Sequence, residues 1–359
     1  MINVTKPFLP DMEEYFEYLR GVWDRCWLTN NGPLVNDLEL KLKEHLGVDH
    51  MLFMSNGTVA LQIAIKALEL KGEIITTPFS YIATTSSILW EGCEAVFVDM
   101  DRETLNINPA LIEAAITEKT TAIMATHIFG NPCDIAAIDK IAKKHNLKVI
   151  YDAAHCFGSK YMGKSVFDYG DISTTSFHAT KLFHTVEGGA VFTRQPELLK
   201  KMAYQRNFGH ESMDTFACVG INGRNSEFHA AMGLVNLKSI NEILASRKTQ
   251  AALYNESLKG LRVTRQKLNA NAEWNYSYYP IIFETEEQLL KSIKVLNDNL
   301  IYPRRYFYPS LSTLDFVTKK DTPVCNDVCR RIVCLPMNHS LKPEDIQFIS
   351  RILLRVQNN

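Results

Sequence analysis

The stretch Gly170-D-I-S-T-T-S-F-H-A-T-K-L-F-H-T-V-E-G-G-Ala190 decides how the rest of the chain is read. Ile172 to Phe177 is rich in β-branched and aromatic residues and reads as a strand. Val186-E-G-G-A-V-F-Thr193 reads as a turn running into a second strand. Lys181 therefore falls on a short connection between two buried strands. A loop lysine is ordinarily a solvated surface charge, and from this stretch alone that reading stands beside any other.

Working outward toward the N-terminus, apolar runs alternate with helical patterns. Met51-L-F-Met54 is a short strand, Ser55-N-G-Thr58 a small polar turn, and Val59 to Leu68 a helix. Glu73 to Thr77, Ala95 to Asp99, Thr121 to Thr126 and Leu147 to Tyr151 are further strands. Helices end near Trp90, run from Pro109 to Thr117, and run from Ile135 to His145 with Lys140, Lys143 and Lys144 on the wet face. This alternation specifies an α/β fold with a mostly parallel sheet between helices. Ligands of such sheets sit beyond the carboxyl ends of the strands. The residues there, Ser55, Gly57, Tyr81, His127, Asp152 and His155, are expected to gather.

Three of these positions suggest chemistry. Strand, polar turn and helix N-terminus at 51–68 is an arrangement that takes a phosphate, with Gly57 permitting close approach and Thr58 adding a hydroxyl; plain N-capping by Ser55, Asn56 or Thr58 is the alternative. Asp152 ends an apolar strand, where a carboxylate can hold a protonated ring nitrogen, and His155 follows three residues later. Capping of the next turn and a core histidine explain the same pair. A lysine amine condenses with a carbonyl and returns as a proton carrier, so Lys181 is a candidate to hold an aldehyde cofactor as a Schiff base.

Composition narrows the classes. The chain has 359 residues, 46% hydrophobic, with 39 basic against 40 acidic side chains. That size suits two domains, and the balanced charge gives no reason to expect nucleic acid or a polybasic membrane contact. No apolar run approaches the ~18 residues of a spanning helix, and the start of the chain lacks a basic-then-apolar signal pattern. The eight cysteines form no C-x-x-C pair; Cys325 and Cys329 suit one helix face rather than a metal knuckle. Reduced thiols, a cytoplasmic location and no metal are expected.

Three signals occur in order: Ser55-N-G-T-V-A-Leu61, Asp152-A-A-His155, and Ser176-F-H-A-T-Lys181 followed by Glu187-G-Gly189. With Asn31-Gly32-Pro33, Thr77-P-F-S-Y-I-A-Thr84, the run from His127 to Pro132, Gly220-I-N-G-Arg224 and Leu335-Pro336, this set resembles the pyridoxal-phosphate-dependent sugar aminotransferases of the DegT/DnrJ/EryC1/StrS family. The resemblance spans nearly the whole chain. It implies the aspartate aminotransferase type fold (pyridoxal-phosphate fold type I), with a large cofactor domain over 1–235 and a smaller C-terminal α+β domain over 236–359, the N-terminal segment packing on the small one. It implies that Lys181 carries the cofactor and moves the proton, and that Asp152 binds the ring nitrogen. His155 would lie on the ring-hydroxyl side and Tyr81 on the ring face, where the family usually has phenylalanine. Gly57, Thr58 and Ser176 would hold the phosphate. Asn222 matches a residue that reaches the phosphate of a neighbouring subunit, which implies a homodimer with shared sites. Asn56 and Val59 depart from the common phosphate motif, where Ser and Ala are frequent. Dehydratase members carry histidine in place of the lysine, so Lys181 argues against dehydration.

The flanks of Lys181 are similar to those of enzymes acting at sugar C4, where the 3-amino branch tends to have Asp at the place of Glu187. The implied reaction moves an amino group from L-glutamate to a nucleotide-linked 4-keto-6-deoxy sugar, first dTDP-4-keto-6-deoxyglucose, with GDP- and UDP-linked sugars and C3 chemistry as alternatives. O-antigen and lipopolysaccharide synthesis would be the setting. His178, His184, Glu187, Arg224 and Tyr306 are candidates for substrate contact. A regulatory protein that binds the cofactor or a nucleotide sugar without catalysis, and a lyase on the same fold, are the competing classes. Toward the C-terminus, Ser226 to Leu258 reads as one long linker helix. Trp274 to Phe283 reads as an edge strand because Pro280 interrupts it. Arg304 and Arg305, set between aromatics, are candidates to meet a nucleotide's phosphates or base, a packed aromatic turn with solvated arginines being the alternative.

Overall fold

The computed structural model describes residues 1–358. A seven-stranded sheet runs in the order Met51–Met54, Gly189–Phe192, Ile172–Ser176, Lys148–Asp152, Thr120–Thr126, Glu73–Thr76, Glu94–Phe97. All neighbours are parallel except the Gly189–Phe192 strand, which is antiparallel to both strands beside it. The central strands are buried on both faces, as a parallel sheet between helices requires. Alternate residues feed two cores: Phe53, Ile75, Ile123 and Tyr151 enter one, and Leu52, Ile74, Met124 and Ile150 the other. This is the α/β fold with a mostly parallel sheet that the alternating pattern led us to expect, and its arrangement agrees with the fold type the resemblance implied.

The antiparallel strand positions the lysine. Gly189 pairs with Met54 on one side and Ser176 on the other, so the Phe177–Gly188 connection must cross the carboxyl edge of the sheet. Its ends are closed by Phe177 N–H to Gly188 O and Thr185 N–H to Phe177 O, at 2.8 and 2.9 Å. Leu182 and Phe183 anchor the turn, Phe183 stacking 4.4 Å from Phe157. Gly189 has no alternative here: a Cβ would stand 2.6 Å from the carbonyl carbon of Asn56 and 2.7 Å from the amide nitrogen of Gly57.

A second sheet of Val263–Thr264, Tyr279–Phe283 and Ile332–Leu335 packs with helices Ile240–Ser257, Glu286–Asp298 and Pro343–Asn358 around its own core. Ile2–Asn3 at the start of the chain pairs with Ile301–Tyr302.

Two expectations are corrected. Ser226 to Leu258 is not one helix: Glu227–Lys238 and Ile240–Ser257 meet at Ser239, whose φ of −98° and ψ of 2° leave the helical region. Ala230 and Leu234 before the break and Ile240 and Ile243 after it share one core of the large domain, and it is the second helix that passes on to the core of the smaller sheet with Tyr254 and Leu258. Tyr279–Phe283 is the central strand of its sheet, not an edge. Pro280 is tolerated because the Val263–Thr264 strand pairs only with Phe283 and Ile282 and stops short of it.

Candidate active site

A cavity of about 270 Å³ lies at the carboxyl edge of the large sheet. Gly57, Thr58, Tyr81, Asp152, His155, Ser176 and Lys181 line it, as do His178, Glu187 and Tyr306. All but Tyr306 stand at or follow the carboxyl ends of four strands of the large sheet, which the shared strand direction brings together, and Tyr306 reaches the wall from the second half of the chain. Asp152 stands opposite Thr126 on one side and Thr174 on the other, and both of these also line the cavity.

Asp152 is buried. Its Oδ2 accepts from the Thr84 hydroxyl at 2.7 Å and its Oδ1 from Ala154 N–H at 3.1 Å. Thr84 continues through Ser80, at 2.7 Å, to Thr126, 3.1 Å further on. Burial raises the pKa of Asp152, opposed by the Thr84 and Ala154 hydrogen bonds and the Lys181 charge. Burial depresses the Lys181 amine to about 8, with Asp152 and Cys156 pulling it back up. A lysine in this state holds a far larger neutral fraction near physiological pH than an ordinary lysine, and the neutral form is the one that attacks a carbonyl.

His155 Nδ1 accepts from Phe129 N–H at 3.3 Å, which leaves Nε2 as the nitrogen that carries the proton. Burial holds its pKa well below the ordinary value, so the ring is neutral. The backbone under it is tied down from the segment that leads into strand Tyr279–Phe283. Asn275 Nδ2 and Ser277 Oγ donate to His155 O at 2.7 and 2.5 Å, and Asn275 also reaches Phe157 O at 2.9 Å.

The helix Gly57–Ala67 points its N-terminus at the same cavity. Asn56 caps it, its side chain accepting from Val59 N–H at 2.9 Å. The amides of Gly57 and Thr58 have no acceptor among the described residues, so the capping and anion-binding readings of this turn are both satisfied, by different amides. A Cβ at Gly57 would lie 2.9 Å from Ser176 Cβ, which is why the turn can close on the Ser176 strand only with glycine.

Three candidates stand elsewhere. His184 is buried behind the turn, with Nε2 2.6 Å from Phe8 O and its own carbonyl accepting from Asn236 at 2.9 Å. Arg224 and Asn222 lie on the loop after helix Pro196–Arg206, outside this cavity. Arg224 Nε donates to Asn222 Oδ1 at 3.3 Å, and its guanidinium sits 5.1 Å over the Phe208 ring. Two strand-end residues also fall away from the wall. His127 stacks 4.6 Å from Tyr151 and its Nδ1 accepts from Cys133 N–H, while Ser55 N–H donates to Gly223 O. Sequence reasoning gave no role to Ser80, Thr84, Thr126 or Thr174. The signal was there in part, as two hydroxyls four apart at the start of a helix that follows a strand. Tyr278 and Phe307, also in the wall, come from the second half of the chain and carry no local mark.

The stretch that brings together this buried carboxylate, the depressed lysine and the open helix amides lies within residues 10–354, which match the model of the DegT/DnrJ/EryC1/StrS aminotransferase family. The chain belongs to this family. Among its relatives, the family member dTDP-4-amino-4,6-dideoxy-D-glucose transaminase of Shigella dysenteriae is 41% identical over 97% of this chain and 97% of its own. GDP-perosamine synthase of Escherichia coli O157:H7 is 34% identical over 97% and 96%. The solved structure of DesI with its TDP-sugar product superposes with a TM-score of 0.94 at 30% identity, covering 99% of this chain and 92% of that one. The family implies pyridoxal phosphate, and the residues fit it: a carboxylate with unused lone pairs for a protonated ring nitrogen, an amine for the aldehyde, and two amides beside Ser176 for a phosphate. No helix is long and apolar enough to cross a membrane, and no group of side chains suited to a metal occurs among the described residues.

Proposed function

We propose that this aminotransferase uses pyridoxal phosphate to move the amino group of L-glutamate to C4 of a nucleotide-linked 4-keto-6-deoxy sugar, first dTDP-4-keto-6-deoxyglucose, giving dTDP-4-amino-4,6-dideoxyglucose. The single observation that carries the chemistry is the Lys181–Asp152 pair at one cavity. The relative at 41% identity over nearly the full length supports the substrate. A GDP-linked sugar is the second reading, supported by the perosamine synthase at 34%.

Bound pyridoxal phosphate supplies a carbonyl that takes up the amino group and a protonated ring that accepts the electron pair of a broken C–H bond. Asp152 keeps that ring nitrogen protonated, and Thr84 and Ala154 aim its carboxylate. Gly57 and Thr58 amides with the Ser176 hydroxyl bind the phosphate. His155 would meet the hydroxyl side of the ring. Lys181 Nζ takes the Cα proton of glutamate in one half-reaction and delivers one to sugar C4 in the other. Tyr81 would cover the ring face, and His178, Glu187 and Tyr306 line the space left for substrate.

We place the working enzyme in the cytoplasm as a homodimer supplying deoxyamino sugars for surface polysaccharide such as O-antigen. Asn222 and Arg224, outside their own cavity, are available to a second subunit. The same loop exposes Met213 and Val219, at 92% and 84%, apolar surface that a partner would cover. Eight unpaired cysteines suit a reducing compartment. Purified protein given glutamate and each of the dTDP-, GDP- and UDP-linked 4-keto-6-deoxy sugars should aminate the dTDP sugar fastest, read by mass of the product. Equal inertness toward all three, with cofactor bound, would refute the assignment.

A further inference from the structure

Residues 274–277 grip the active site from the second half of the chain. Asn275 Nδ2 and Ser277 Oγ both donate to His155 O, at 2.7 and 2.5 Å. Trp274 Nε1 donates to Phe129 O at 2.8 Å, and Phe129 is the residue whose N–H meets His155 Nδ1. The same short segment therefore holds the histidine by its own carbonyl and by the residue that binds its ring. The fit is close. Gly130 follows Phe129 at a φ of 85°, and a Cβ there would stand 2.3 Å from Asn275 Oδ1.

The segment is itself fixed. Asn275 Oδ1 accepts from Ser277 N–H at 3.1 Å, and the turn between them puts Tyr276 at a φ of 54°, in the left-handed region that a tyrosine rarely adopts. Arg247 closes the turn from behind, its Nη1 donating to Ser277 O at 2.9 Å and to Tyr276 O at 3.4 Å. This arginine is 4% exposed and enters no ion pair among the described residues. A buried charge spent on backbone carbonyls is a costly way to hold a loop, and a strained turn persists only where its surroundings over-determine it. Arg247 belongs to helix Ile240–Ser257, which runs from the core of the large sheet to that of the smaller one.

We propose that Asn275 and Ser277 are positioning residues for the reaction: through the His155 backbone they set where that ring meets the hydroxyl side of the cofactor, and Arg247 holds them in place. This rests on the pyridoxal-phosphate reading above. With Nδ1 taken by Phe129 N–H, the Nε2–H of His155 is the donor left for the cofactor. A donor at the ring oxygen governs how much negative charge that oxygen carries, and the colour of the bound cofactor follows that charge. A hydrogen bond weakens steeply with misalignment, so a His155 carbonyl freed to tilt moves the donor off its target. Ties that merely joined the two halves of the chain would cost stability alone.

The test is a double-mutant cycle between Asn275 and His155, read as pyridoxal-phosphate affinity and as the absorption spectrum of the bound cofactor. Asn275→Ala and Ser277→Ala should each weaken affinity about 3- to 10-fold and shift the absorption band. In a His155→Ala background, Asn275→Ala should change neither further. Glu227→Ala, which removes a helix cap outside the cavity, serves as the stability control: its thermal midpoint should fall while band and affinity stay. Wild-type band and affinity in both Asn275→Ala and Ser277→Ala overturn the inference. So does an equal effect of Asn275→Ala with and without His155, or a matching band shift in Glu227→Ala. Wild type that takes up no pyridoxal phosphate brings down the cofactor reading itself, and this inference with it.

Discussion

Thr84 donates its hydroxyl hydrogen to Asp152 Oδ2 at 2.7 Å, across 68 residues of sequence. The bond joins the first turn of helix Ile82–Trp90 to the end of strand Lys148–Asp152. It offsets part of the burial that pushes this carboxyl toward its neutral form. Thr84→Val keeps the shape and removes the donor. We expect a stability loss of about 1–3 kcal/mol, read by denaturant titration, and weaker retention of pyridoxal phosphate on dialysis. Unchanged cofactor affinity would show that Asp152 is aimed without Thr84.

Lys181→Ala should lower turnover at least ~10²–10⁴-fold while leaving fold and phosphate binding intact. Stopped-assay rates and far-ultraviolet circular dichroism check the two halves. Full activity in this variant would end the proposed role.

The amine of Lys181 is depressed to about 8, first by burial. Its neutral form is the reactive one, so capture of pyridoxal phosphate by the apoprotein should accelerate as pH rises through about 8 and then level off. A free lysine would keep accelerating toward 10.5. The sign for stability follows from the same shift. Between about 8 and 10.5 the unfolded chain holds a proton that the folded chain has released, so this group's contribution rises with pH across that window. Lys181→Met should flatten both profiles, measured as capture rate and as unfolding free energy against pH.

Glu227 is wholly buried and accepts from Leu34 and Val35 N–H, at 3.0 and 2.9 Å. It thus caps helix Pro33–Leu46, whose own N-cap, Gly32, offers no side chain. Glu227→Ala leaves those amides unpaired and should cost about 1–3 kcal/mol. Gly32→Ala should destabilise as well, since its Cβ would meet Glu227 Cδ at 2.5 Å. Thermal midpoints of the two variants decide this.

His184→Ala separates a structural histidine from a substrate contact. With its ring hydrogen-bonded to Phe8 O, its loss should lower the thermal midpoint and leave KM for the sugar unchanged. His178 lines the cavity 3.6 Å from Glu187, and His178→Ala should raise that KM. Steady-state kinetics with the preferred sugar tests both.

Much was written locally. Short apolar runs punctuated by Gly, Pro and Asn mark the strands, and alternation with helices dictates a parallel sheet. Its carboxyl edge must then collect Gly57, Asp152 and the turn bearing Lys181. That inference needs no knowledge of contacts, because chain direction alone decides which strand ends share an edge. It fails where the answer lies in a remote partner. Ser239 looks helical by period, yet one helix ends there and another begins. Pro280 looks like an edge residue, yet its neighbour strand is simply too short to reach it.

The sequence by itself determined the α/β class and the lysine at the sheet edge, because periodicity and turn chemistry act over a few residues, and its ordered motifs carried the family resemblance. Only the tertiary structure decided that Arg305 is spent on Glu286 while Arg304 is not, that His178 faces the cavity while His184 faces Phe8, and that Thr84 serves Asp152. Each choice depends on which groups from distant segments lie within hydrogen-bond reach, and adjacent residues of identical type carry no mark of that in the sequence.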